Sequence, residues 1–124
     1  MSMVSAVDRV AAARAGSEWT RVCPASRLTP ERGVAALVDG DPVAVFLLST
    51  GELAAIDNRD PCSGASVLSR GLVGEVDGAP TVASPMYKQR FELRTGRCLD
   101  DPGVSVRVHD VRLDDGFVVV RRGG

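Results

Sequence analysis

The sequence predicts an all-β protein, an antiparallel sandwich or small barrel. Two observations predict it. Short apolar runs recur along the chain, and Asp-Gly or Thr-Gly pairs separate them. Asp-Gly is the signal of a type I′ hairpin turn, because both central residues adopt positive φ. A third observation adds to the fold. One long segment without strand period, and a second shorter one, interrupt the rhythm, so the scaffold presents two special loops.

The elements follow in order. Residues 1–17 are Ala-rich but short and poorly capped, so a fraying helix or flexible arm is expected there. Residues 18–124 form the single domain that 124 residues allow. "GVAALVD" (33–39), "PVAVFLL" (42–48) and "ELAAID" (52–57) read as three strands, joined at Asp39-Gly40 and Thr50-Gly51. Asp77-Gly78 separates "LVGEV" from "APTVAS", Thr95-Gly96 follows "RFEL", and Asp115-Gly116 joins "VSVRVHDVRL" to "FVVVRR". In "VSVRVHDVRL", Val104, Val106 and Val108 share one face while Val111 and Leu113 share the other. The phase flips at His109-Asp110, where a bulge or bend is expected. The total is about nine short strands.

Composition excludes several functions. A net charge of −1 lacks the basic excess of a nucleic-acid binder. No run approaches the ~20 apolar residues of a membrane span. The Ala-rich start is broken by Asp8, Arg9 and Arg14, so it lacks the apolar run of a secretory signal. Three cysteines, Cys23, Cys62 and Cys98, suit a reducing compartment better than a disulfide framework. A soluble cytoplasmic protein is the expectation. No phosphate-cradling glycine motif occurs, and one strand-borne His cannot support a Ser/His/Asp set.

The interrupting segments are "NRDPCSGASVLSRG" (58–71) and "SPMYKQ" (84–89). A structureless loop as long as the first in a compact domain is usually functional. Here the chain resembles the Rieske-type iron–sulfur domains, whose two loops supply C-x-H and C-x-x-H ligands to a [2Fe–2S] centre. "DPCSGASVL" stands in place of the first loop and "SPMYKQRFELRTG" in place of the second. The resemblance puts Asp60 and Ser84 at the Cys positions, and Cys62 and Tyr87 at the His positions. All four ligands are therefore replaced. A Rieske centre takes two histidines, and this chain has one. An O, S, O, O set matches no common structural metal.

From about Trp19 to Arg121, and nearly throughout residues 57–101, above all in "VLSRG" and "VASPMYKQRFELRTGRCLDD", the chain is similar to the small subunits of assimilatory NAD(P)H-dependent nitrite reductases. That family is Rieske-like and typically lacks the cluster. The resemblance implies a non-catalytic subunit with no cofactor of its own. It implies a partner large subunit that carries FAD, siroheme and a [4Fe–4S] cluster and takes nitrite to ammonia. The alternative is a free-standing, cluster-less interaction or regulatory module.

Individual residues carry further expectations. Tyr87 would fill the space a cluster occupies, its hydroxyl bonded to Asp60 or a backbone carbonyl. Cys62 would be a small, partly buried loop residue. His109 would be an exposed strand residue sharing a face with Ser105 and Arg107, and Trp19 and Phe91 would be core residues. Arg59, Arg70, Lys88 and Arg90 lie on or beside the loops around Pro61, Pro85 and Met86. An apolar centre with a basic rim is the expected docking face for the partner.

Overall fold

The computed structural model describes residues 19–123. The expected N-terminal arm, residues 1–17, lies outside them. Nine strands form: β1 (Trp19–Pro24), β2 (Gly33–Val38), β3 (Asp41–Leu47), β4 (Leu53–Asp57), β5 (Leu72–Val76), β6 (Ala79–Ala83), β7 (Arg90–Glu92), β8 (Val108–Asp114) and β9 (Phe117–Arg121). They make a six-stranded sheet in the order β1-β9-β8-β4-β3-β2 and a three-stranded sheet β5-β6-β7. Every strand pairing within the sheets is antiparallel. Among the described residues no helix is long and apolar enough to cross a membrane.

The three Asp-Gly pairs turn as the sequence predicts. Asp39-Gly40, Asp77-Gly78 and Asp115-Gly116 all have φ between 52° and 84°. They close the β2-β3, β5-β6 and β8-β9 hairpins. Type I′ twist matches the twist of the strands it joins.

The apolar periods explain how the sheets pack. Val43 to Phe46 on β3 are all fully buried, so this central strand has a core on each face. On one face Ala44 and Phe46 join Ile56, Leu68, Val82, Phe91 and Leu93, which packs the six-stranded sheet against the three-stranded one. On the other, Val43 and Val45 meet Val38, Ala55, Val118 and Val120, as the larger sheet curls toward closure. Phe91 is therefore a core residue, as expected. Trp19 is not. It lies half-buried, with the guanidinium groups of Arg112 and Arg121 4.2 and 4.7 Å from its ring centre.

The phase flip at His109-Asp110 is a change of partner. Val108 and His109 pair with β4, and from Asp110 onward the strand pairs with β9. Val104, Val106 and Val108 pack on the first core and Val111 on the second. Leu113, grouped with Val111 by its period, is 56% exposed. The stretch before Val108 is not strand, which overturns the expectation for His109. Its side chain is fully buried, with Nε2 2.8 Å from Asp57 Oδ1. The Gly123 N–H donates to Nδ1 at 2.9 Å, so Nε2 carries the proton and donates to Asp57.

Candidate functional site

The two irregular loops lie side by side at one end of the domain. The first leaves β4 and returns through a 3₁₀ turn, Leu68–Arg70, to β5. The second joins β6 to β7. Asn58 anchors the first: its Oδ1 accepts from the Ser69 N–H at 2.7 Å and its Nδ2 donates to Ser66 O at 3.3 Å. Gly71 ends that loop where a Cβ would stand 2.4 Å from Ala83 O, so only glycine lets the loop lie this close to β6.

Residues 60–65 and 84–89 are built to the same plan. In the first, Asp60 N–H donates to Ala65 O and Gly64 N–H to Asp60 O. In the second, Ser84 N–H donates to Gln89 O and Lys88 N–H to Ser84 O. Each opening side chain accepts from the backbone two residues on. Asp60 Oδ1 takes the Cys62 N–H at 2.8 Å, and Ser84 Oγ takes the Met86 N–H at 3.1 Å. Each has proline second and a left-handed residue fifth, Gly64 at φ 80° and Lys88 at φ 66°. Glycine adopts that conformation freely, whereas a lysine bears a cost of roughly 1–2 kcal/mol.

The two loops join through their first residues. Ser84 Oγ–H donates to Asp60 Oδ2 at 2.5 Å, and both side chains are fully buried. Gln89 Nε2 adds a bond to Asp60 Oδ1 at 3.0 Å, and Ser63 N–H approaches the same oxygen at 3.4 Å. Burial raises the pKa of Asp60 and is the largest single influence. The hydrogen bonds from Ser84, Cys62 and Ser63 together outweigh it and hold the carboxyl below its ordinary value. Asp60 is thus a buried carboxylate kept ionised by donors from both loops. Gln89 Oε1 is the one buried side-chain oxygen here without a partner among the described residues.

The four positions that the resemblance equates with cluster ligands do not converge. Asp60 and Ser84 touch, while Cys62 is exposed and Tyr87 is 64% exposed. The expectation that Tyr87 plugs a cluster-sized space is overturned. Short side chains let the loops meet directly through Asp60 and Ser84. The left-handed turn at Lys88 leaves the tyrosine outside, its hydroxyl unbonded to any described residue. Cys62 likewise is a surface thiol rather than a partly buried one. Among the described residues no three His, Cys, Asp or Glu side chains gather to hold a metal ion. These residues do not fit a Rieske centre: the carboxylate is spent on internal donors, and no imidazole is within the loops.

The expected docking residues fall on the outer surface of these loops. Arg59, Pro61, Arg70, Pro85, Met86 and Lys88 are all exposed. Arg90 differs. It is bonded to Asp100 through Nη2–Oδ1 at 2.8 Å and Nε–Oδ2 at 3.2 Å, so its charge is neutralised at the foot of the loop. The hydrogen bonds from the Arg90 side chain and backbone draw the Asp100 carboxyl down to about 2. Sequence reasoning missed Gln89, whose partner is 29 residues away. It also missed that Asp60 and Ser84 hold each other, although Asp-Pro and Ser-Pro openings in both loops carried a signal.

A two-sheet β domain with two paired loops at its tip is the architecture of a Rieske-like domain. The family described as the Rieske-like [2Fe-2S] domain matches residues 18–121. The nitrite reductase (NADH) small subunit of Salmonella typhimurium is 44% identical over 106 residues, covering 85% of this chain and 98% of that one. A crystal structure of a nitrite reductase small subunit from Mycobacterium tuberculosis, described as NADH-dependent, superposes with a TM-score of 0.82 at 47% identity. That match covers 86% of this chain and 96% of the other. A nitrite reductase [NAD(P)H] large subunit from Klebsiella oxytoca is 38% identical over 102 residues, 82% of this chain but 11% of its own length. The chain belongs to the family of NADH nitrite reductase small subunits, within the Rieske-like domains.

Proposed function

We propose that this chain is the non-catalytic subunit of an NADH nitrite reductase. It docks through its two-loop tip on a large subunit that carries FAD, siroheme and a [4Fe–4S] cluster and takes nitrite to ammonia. This reading places the chain in the cytoplasm, in nitrate assimilation. One observation carries it. The same domain recurs over nearly the full length of a small-subunit relative and as about a tenth of a large-subunit chain. A domain found both separate from and continuous with one enzyme fits work in contact with it, since a tether raises the effective concentration of parts that can engage each other.

The tip is the part of the surface suited to that contact. Pro61, Pro85 and Met86 are uncharged and exposed on the two loops, and Arg59, Arg70 and Lys88 are exposed on the same loops. Interfaces commonly have this apolar centre and polar rim. Asp60, Ser84 and Gln89 act behind the surface, holding the loops in register. Co-purification with the large subunit, and nitrite reduction assayed with and without this chain, tests the reading. A stable complex whose activity or stability depends on the chain is expected. Absence of any complex would refute it and favour the free-standing module.

A further inference from the structure

The charges on the tip indicate the chemistry of the surface it meets. The two loops contain one acidic residue, Asp60, which is buried and engaged by donors inside the protein. It cannot neutralise anything outside. Among the described residues Arg59, Arg70 and Lys88 form no ion pair. Outside the loops, Arg90, Arg94, Arg107, Arg121 and Arg122 each hold a carboxylate while other arginines among the described residues do not, so what sets the tip apart is the absence of any exposed acidic residue beside its cations. The whole chain carries −1, yet its tip exposes only positive charge.

Lys88 supplies a second, independent observation. It is the chain's single lysine and occupies a left-handed position where the matching loop has Gly64. A lysine there carries a backbone cost that glycine would not, which a contact made by its side chain would offset. That side chain makes no ion pair within the described protein and is exposed.

We infer that the tip meets an acidic face of the large subunit, with Arg59, Arg70 and Lys88 facing carboxylates around a contact centred on Met86. This rests on the docking reading above and specifies the partner surface. Complementary charge steers association and sets its salt dependence. Lys88 is placed at the cost of backbone strain because its ammonium is used there.

The test measures association of the full chain with the purified large subunit across an ionic-strength series. At about 50 mM salt, the variant with Arg59→Glu, Arg70→Glu and Lys88→Glu is expected to bind on the order of 100-fold more weakly than the parent. The gap should close toward about 0.5 M salt, where screening is strong. A control with Arg27→Glu and Arg97→Glu, exposed arginines outside the two loops, should bind within about 3-fold of the parent. Lys88→Gly separates binding from folding. It relieves the strained φ, so the Tm should hold or rise, while affinity falls roughly 3- to 10-fold. A complex indifferent to salt and to the tip reversal would overturn the acidic face. So would a Lys88→Gly chain that binds as tightly as the parent. A parent that binds at no salt concentration would instead overturn the small-subunit reading itself.

Discussion

Replacing Asp60 with asparagine tests whether one carboxylate holds the two loops together. The asparagine oxygen can replace Oδ1 and keep the bonds from Cys62, Ser63 and Gln89. The amide nitrogen must then stand where Oδ2 accepted from Ser84. Ser84 Oγ already takes the Met86 N–H, so its own proton loses its acceptor. One amide proton is also left buried without a partner. A stranded buried polar group costs about 1–3 kcal/mol, and Asp60→Asn should cost about that much at neutral pH. Asp60→Ala strands all the donors and leaves a void, for roughly 3–5 kcal/mol.

The pH dependence gives a sharper test than the magnitude. The folded pKa of Asp60 lies below its unfolded value, so the carboxylate stabilises the protein fully above about pH 4. That contribution fades as pH falls through the folded pKa. The difference in stability between the parent and Asp60→Asn should therefore shrink below about pH 4 and be constant from pH 5 to 7. Urea unfolding followed by circular dichroism across pH 3–7 measures it. Equal stability of the two proteins at pH 7, or a difference that persists undiminished at pH 3, would refute the carboxylate as the link.

Other outcomes follow from the same geometry. Tyr87→Ala should change stability by less than about 0.5 kcal/mol in denaturation, since the ring is largely in water. Met86→Asp should leave folding intact and weaken association with the large subunit by a few kcal/mol in titration, because it puts a charge in a desolvated centre. His109→Phe should cost about 1–3 kcal/mol in the same unfolding assay, since the Gly123 N–H loses its acceptor and Asp57 a donor.

Much of the fold was legible because its signals are local. Asp39-Gly40, Asp77-Gly78 and Asp115-Gly116 need nothing beyond their own backbone preferences to form hairpins. The valines around His109 showed a flip because two cores compete for one stretch of chain. The period itself misled at His109. Alternation grouped it with Ser105 and Arg107, but the strand starts only at Val108 and changes partner within two residues. The site was legible in position but not in its internal bonding. The pairing of Asp60 with Ser84 spans 24 residues, and that with Gln89 spans 29. No local pattern specifies contacts of that range. Tyr87 was assigned the role of joining the loops, which Asp60 and Ser84 fill while the tyrosine faces outward.

That contact has a consequence for how the subunit behaves over time. A domain whose tip holds an iron centre changes its surface charge by one whenever an electron arrives or leaves. Its hold on a partner changes with each turnover, which suits a carrier that must come and go. Here a proton shared by a carboxylate and a hydroxyl joins the loops, and neither group accepts an electron. The Asp60–Ser84 link therefore carries the same charge whatever electrons pass through a partner. The link is also made entirely from side chains of this chain. Such a surface suits a resident subunit rather than a shuttle.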